Sequence, residues 1–246
     1  MSKIGSRAGR WPMAAALAAG LFLAHPATAE TLTREAAIAQ LNSVPLYPVL
    51  AKHYPATYAQ VVDGLVQGAN SGRRYSEMVA ETNQMVATLV AEQGAKANVE
   101  NTVGMLSLTR DQAKSALARD PGYCLSVLGV RAHDMAAINA LPEELTKREM
   151  ALMVKLLEQT ALNPEPAPPE KLAQKKLEAI AMQAYDRLPS DELRVALRAI
   201  EGDPKKATSP LEQTAFCEFS IAMFDIMLAM PPIEAAQTFK GISAMR

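Results

Sequence analysis

Residues 209–230 read Ser-Pro-Leu-Glu-Gln-Thr-Ala-Phe-Cys-Glu-Phe-Ser-Ile-Ala-Met-Phe-Asp-Ile-Met-Leu-Ala-Met, and this stretch constrains the fold more than any other. Ser209 is a good N-cap and Pro210 suits the first helical position, where a missing N–H costs nothing. Glu212, three residues after the cap, can reach back to the Ser209 N–H. Pro231-Pro232 ends the run. Between these signals Leu211, Phe216, Phe219, Ile221, Met223, Phe224, Ile226, Met227, Leu228 and Met230 cover most of a helical circumference. Only a stripe of Thr214, Glu218, Ala222, Asp225 and Ala229 lacks bulk. A helix apolar nearly all round is a buried one. A carboxylate near a bilayer centre costs about 2.5–3.5 kcal/mol on insertion scales, so Glu218 and Asp225 argue for a core helix over a membrane span.

The remaining segments share its helical character. No stretch of strand length alternates with period two, and the chain is rich in Ala, Leu, Met, Glu, Gln and Lys, residues that favour helix. Thr33 caps a helix over about 34–43. Pro45 and Pro48 predict a short turn-rich piece, and Pro55 opens a helix that runs to the Gly72 region. Tyr75, Met78, Val79, Thr82, Met85, Val86, Leu89 and Val90 recur at three- and four-residue steps, and Gly94 stops that helix. Helices are expected over about 96–107 and, from a Thr109/Gln112 capping box, over about 110–119. Asp120-Pro121 restarts the chain as cap and first turn, and Gly129 marks a bend before a helix over about 130–140. Pro142 begins a long helix to about Ala161, with Leu145, Glu149, Leu152, Met153, Leu156 and Thr160 on one face and Glu149 its odd member. After the proline-rich 163–169, helices are expected over about 170–188, 191–201 (capped by Ser190) and 233–240. The resulting expectation is an all-α, irregular multi-helix bundle of about nine to eleven helices, stapled by one disulfide.

The staple follows from cysteine use and from the leader. Lys3, Arg7 and Arg10 precede a short apolar run, Met13 to Ala24, and Ala27-Thr28-Ala29 places small residues where signal peptidase needs them. Residues 1–29 therefore read as a signal peptide cleaved after Ala29, which predicts a periplasmic or secreted protein. Removing 29 of the 246 residues leaves 217, enough for a sizeable core. Three of the 25 basic residues and none of the 26 acidic ones leave with it, so the net charge becomes −4. That charge argues against nucleic acid, which requires a basic face. Cys124 and Cys217 are the two cysteines of the chain. In an oxidising compartment they are expected to pair.

The parts are expected to be an N-terminal helical part over 30–162, a proline-rich linker over 163–169, and a C-terminal helical part over 170–246 packed on the first to make one domain. The bond between Cys124 and Cys217 would join the two parts across the linker.

The sequence contains no phosphate-binding glycine loop, dinucleotide fingerprint, HExxH, GxSxG or CxxC. His133-Asp134 is no dyad, since adjacent helical residues do not face each other, and His53 reads as a surface residue. Met223, Met227 and Met230 share one side of the central helix, and Met150 and Met153 lie three apart. Thioethers suit Cu(I), but methionine at helical spacing is ordinarily core filler or a pliable groove. Arg73-Arg74, ahead of a helix, could meet an anion. Glu218 and Asp225 stand seven residues apart, about 10 Å along a helix axis, wide for a carboxylate pair. No catalytic, cofactor-binding or metal-ligating residue is assigned, and Glu218 and Asp225 are kept as a polar stripe.

These signs predict an exported, non-enzymatic protein that acts on another envelope or secreted protein, as accessory factor, inhibitor or chaperone. Two alternatives remain open. One is a carrier of an apolar small molecule or lipid between helices, which needs an apolar cavity beside the central helix. The other is a carboxylate-dependent hydrolase of the envelope, which needs a cleft holding Glu218 and Asp225.

Overall fold

The computed structural model describes residues 31–131, 140–166, 170–201 and 203–244. The expected leader and its cleavage point after Ala29 lie outside them, as do His133, Asp134 and most of the helix expected over 130–140. Among the described residues there are eleven α-helices and no strand, and the chain is all-α as its sequence predicts. In chain order the helices are α1 (Arg34–Leu41), α2 (Leu46–His53), α3 (Pro55–Asn70), α4 (Tyr75–Gly94), α5 (Val99–Leu117) and α6 (Pro121–Val127). They continue with α7 (Glu143–Leu162), α8 (Glu170–Asp186), α9 (Asp191–Ala199), α10 (Pro210–Leu228) and α11 (Pro232–Ala244). A 3-10 turn, Pro204–Lys206, precedes α10.

Local signals account for most of the boundaries. The Thr33 hydroxyl caps α1, Asp120 caps α6, and Ser190 caps α9, each accepting from a backbone N–H of the first turn. Ser209 and Glu212 form the expected capping box, with the Glu212 carboxylate taking the Ser209 N–H at 2.9 Å. Gly129, at φ 66°, turns the chain after α6 in the left-handed conformation that glycine adopts freely.

Two expectations are corrected. The piece between Pro45 and Pro48 is no loop but α2, with Pro45 as cap and Pro48 in the first turn. A proline at that depth removes an N–H that has no partner inside the helix. The two helices expected over 96–107 and 110–119 are the single helix α5. The Thr109 hydroxyl donates to the Met105 carbonyl at 2.9 Å instead of capping a new start. Without glycine or proline at the junction nothing interrupts the ladder.

Among the described residues two large apolar cores result, with a third small cluster where Leu193 and Ala196 of α9 meet Ala215 of α10. The first holds α1–α4 and the inner face of α7, with Leu41, Leu50, Val61, Val62, Val86, Leu156 and Leu157 fully enclosed. The second surrounds α10 with the C-terminal half of α5, α6, α8 and α11. Helix α5 belongs to both, giving Met105 to the first and Leu106, Ala113 and Ala116 to the second. It packs on α6, α7, α10 and α11.

Helix α10 is the buried centre its composition predicts. Phe216, Ile221, Met223, Phe224, Ile226 and Met227 are buried, and each fully enclosed large side chain contributes about 1.5–3 kcal/mol. Cys217 bonds to Cys124, with Cα atoms 6.3 Å apart and both residues fully enclosed. The bond fastens α6 to α10 inside the second core. No helix among the described residues is long and apolar enough to cross a membrane.

Candidate functional site

The polar stripe of α10 keeps its half-exposed position, with Glu218 and Asp225 both partly accessible, but the fold does not bring the two carboxylates together. Asp225 belongs to an ion-pair chain across three helices. It accepts from Lys114 at 2.9 Å and from Arg110 at 3.3 Å, both on α5. Arg110 also pairs with Asp111, and Asp111 accepts from Arg148 of α7 at 2.7 Å. Arg148 reaches on to the Ser107 hydroxyl. Burial pushes the Asp111 carboxyl up, but hydrogen bonds and charge from Arg148 and Arg110 outweigh it, and the net direction is down. The cluster is therefore a charged seam that holds α5, α7 and α10 in register. Glu218 receives no hydrogen bond or ion pair from the described residues.

Behind that seam lies a buried carboxylate. Glu149, the odd member of the α7 face, is 2% exposed and accepts from the Gln112 amide at 2.8 Å. Gln112 is thus used in a tertiary contact, where the sequence suggests a helix cap.

The other singled-out residues serve packing or local pairing. Met223 and Met227 fill the second core and Met153 the first. Arg73 pairs with Glu81 at 2.8 Å, and Arg74 pairs with Glu77. His53 ends α2, half-buried. Among the described residues no three His, Cys, Asp or Glu side chains converge to hold a metal ion.

An open groove lies between α3 and α4. These helices form an antiparallel hairpin closed by a turn at Ser71–Arg74, in which Gly72 takes φ 72°. Next to the turn the helices are pressed together. A Cβ built on Gly68 would stand 2.5 Å from the Met78 sulfur, so any larger residue there requires Met78 to move. Away from the turn a groove of about 310 Å³ opens between the helices, lined by Thr57 and Gln60 of α3 and by Gln84, Met85, Thr88, Leu89 and Glu92 of α4.

The groove has a definite chemistry. Met85 and Leu89 make an apolar floor. Thr57, Gln60, Gln84 and Thr88 give an uncharged rim of amides and hydroxyls, and Glu92 supplies one negative charge at the open end. The Thr88 hydroxyl donates to its own helix, at the Gln84 carbonyl. Gly64 lies on the same face of α3 as Thr57 and Gln60, by helical spacing of seven and four residues. A Cβ added there would meet nothing within 4 Å. The backbone of α3 is therefore bare at that one position. Sequence periodicity locates α3 and α4 but not the groove, which depends on how far the hairpin opens.

No protein-family model, no characterised protein and no solved structure matches this chain.

Proposed function

We propose that this is an exported helical protein that acts by binding another protein, and that the groove of the α3–α4 hairpin receives an amphipathic helix of that partner. The groove carries the reading. An apolar floor with a rim of amides and hydroxyls suits a helix laid in lengthwise. Met85 adds a side chain able to adapt its shape. The bare backbone at Gly64 gives the incoming helix room to approach. Glu92 favours a partner with a lysine or arginine at the matching end. The leader-like residues 1–29 support export, and the Cys124–Cys217 bond is compatible with an oxidising compartment.

The test is affinity capture from the cell envelope after mild cross-linking, with the native chain and with Thr88→Arg. Thr88 is exposed and bonds only within α4, so the substitution fills the groove without disturbing a core. The native chain should recover one protein in stoichiometric amount, and Thr88→Arg should lose it while melting at the same temperature. Equal recovery by both chains, or no protein recovered by either, rejects the groove. N-terminal sequencing of the purified protein tests export separately: a start at Glu30 supports it, and a retained leader rejects it.

A further inference from the structure

A buried ammonium with three partners stands at Lys240. Lys240 lies on α11, and its side chain is 5% exposed. Its ammonium donates to the Ala97 carbonyl at 2.8 Å and to the Pro166 carbonyl at 3.3 Å. The Glu165 carboxylate stands 3.7 Å away. A buried ammonium is costly unless such partners surround it. Burial pushes the Lys240 amine down from its ordinary range, and the Glu165 charge opposes that shift.

The residues around the ammonium come from three distant parts of the chain and bond to one another. The Glu165 N–H donates to the Lys96 carbonyl at 2.8 Å. The Gln159 side chain accepts from the Asn98 N–H at 2.9 Å and donates to the Asn163 carbonyl. The end of α7, the strap 163–166 and the corner between α4 and α5 are thereby knotted together. The strap cannot hold itself in place. Pro164 and Pro166 have no N–H to donate, so the strap's N–H groups are those of Asn163, used on the Gln159 carbonyl, and Glu165. The Pro166 carbonyl depends on a donor from elsewhere, and that donor is Lys240.

We propose that Lys240 is a latch: it holds the proline strap against the α4–α5 corner, so that the strap and the C-terminal helix open and close as one unit. Helix α11 covers α5 and α8 with Ala235, Ala236 and Phe239, all buried. Opening the unit bares that apolar surface and leaves α1–α4 closed around the first core. The latch is thus a conformational device for exposing a second surface on the same molecule.

Native-state hydrogen exchange tests it. In the unmodified protein at low urea, the Glu165 amide and the amides of α11 around Phe239 should follow one common dependence of opening on denaturant. The amides of α3 should open only at higher free energy. Two separate dependences for Glu165 and α11 overturn the proposal, and so does joint opening with α3. Lys240→Met, which keeps the length and removes the charge, should speed exchange at Glu165 by about tenfold or more, since hydrogen bonds from a charged donor are the stronger kind. Unchanged exchange at Glu165 in Lys240→Met overturns it as well. The urea experiment on the native chain decides the matter even where that variant does not fold.

Discussion

Gly64 and Gly68 lie one turn apart on α3, and the same substitution should have opposite signs at the two. Gly64 sits inside the helix, with nothing within 4 Å of the position a Cβ would take. Alanine there meets no obstacle and reduces the backbone freedom lost on folding. Glycine inside a helix is less favourable than alanine by about 0.5–1 kcal/mol, so Gly64→Ala should stabilise the protein by that amount. For a chain of this size the gain corresponds to about 2–4 °C in Tm per kcal/mol. At Gly68 the added carbon would fall 2.5 Å from the Met78 sulfur and 2.9 Å from its Cγ. Met78 is buried in the first core. Overpacking of that kind costs about 1–3 kcal/mol, which exceeds the helix gain. Gly68→Ala should therefore destabilise.

Urea unfolding followed by far-ultraviolet circular dichroism measures both variants on one scale, and the slope should not change. A loss of stability in Gly64→Ala would mean that the α3 face is already filled. A gain in both would mean that the hairpin is not tight at Met78. In the capture experiment Gly64→Ala should weaken recovery of the partner although the variant is the more stable protein. That combination separates a binding surface from a folding defect.

Asp111 gives an acid dependence. Its carboxyl titrates below the ordinary range in the folded state, so its contribution is complete above the unfolded value of about 3.9 and is lost as pH falls through the lower folded value. Asp111→Asn should flatten the acid limb of the stability curve between pH 5 and the lower folded value, and an unchanged limb would show that the seam with Arg110 and Arg148 does not form. Replacing Cys124 and Cys217 together by alanine should cost about 4–5 kcal/mol, the chain-entropy value for a loop of this length, the cysteines being separated by 93 positions in sequence. Urea midpoints of the two proteins check this, and a difference near zero would show that the bond closes no loop that the unfolded chain leaves open.

What the sequence makes legible is what neighbouring residues decide. Ser209, Pro210 and Glu212 start α10 and Pro231 ends it within their own reach, and its all-round apolar face marks it as central. The disulfide follows from a count of two cysteines together with a leader that predicts an oxidising compartment. Thr109 and Gln112 mislead for the converse reason. Their spacing is that of a cap, but Gln112 finds a stronger partner in buried Glu149, 37 residues away. The environment of Lys240 has no signature at all, because its acceptors are main-chain carbonyls of Ala97 and Pro166, and any residue type supplies one. The groove is likewise a matter of interhelix spacing, which the close contact of Gly68 with Met78 near the turn does not carry through to Thr57 and Glu92.

The closed second core also sets an order of events. Cys124 and Cys217 are sealed from solvent, on helices from opposite ends of a long loop. Thiol–disulfide exchange requires an attacking sulfur to reach its target in space. Once α10 is packed, no enzyme or small oxidant touches either sulfur. Oxidation therefore belongs to the assembly of this protein and not to its finishing. A chain that packs α6 against α10 while still reduced keeps two thiols that only reopening can oxidise. The order in which α10 packs and the sulfurs pair thus decides whether a molecule carries the bond.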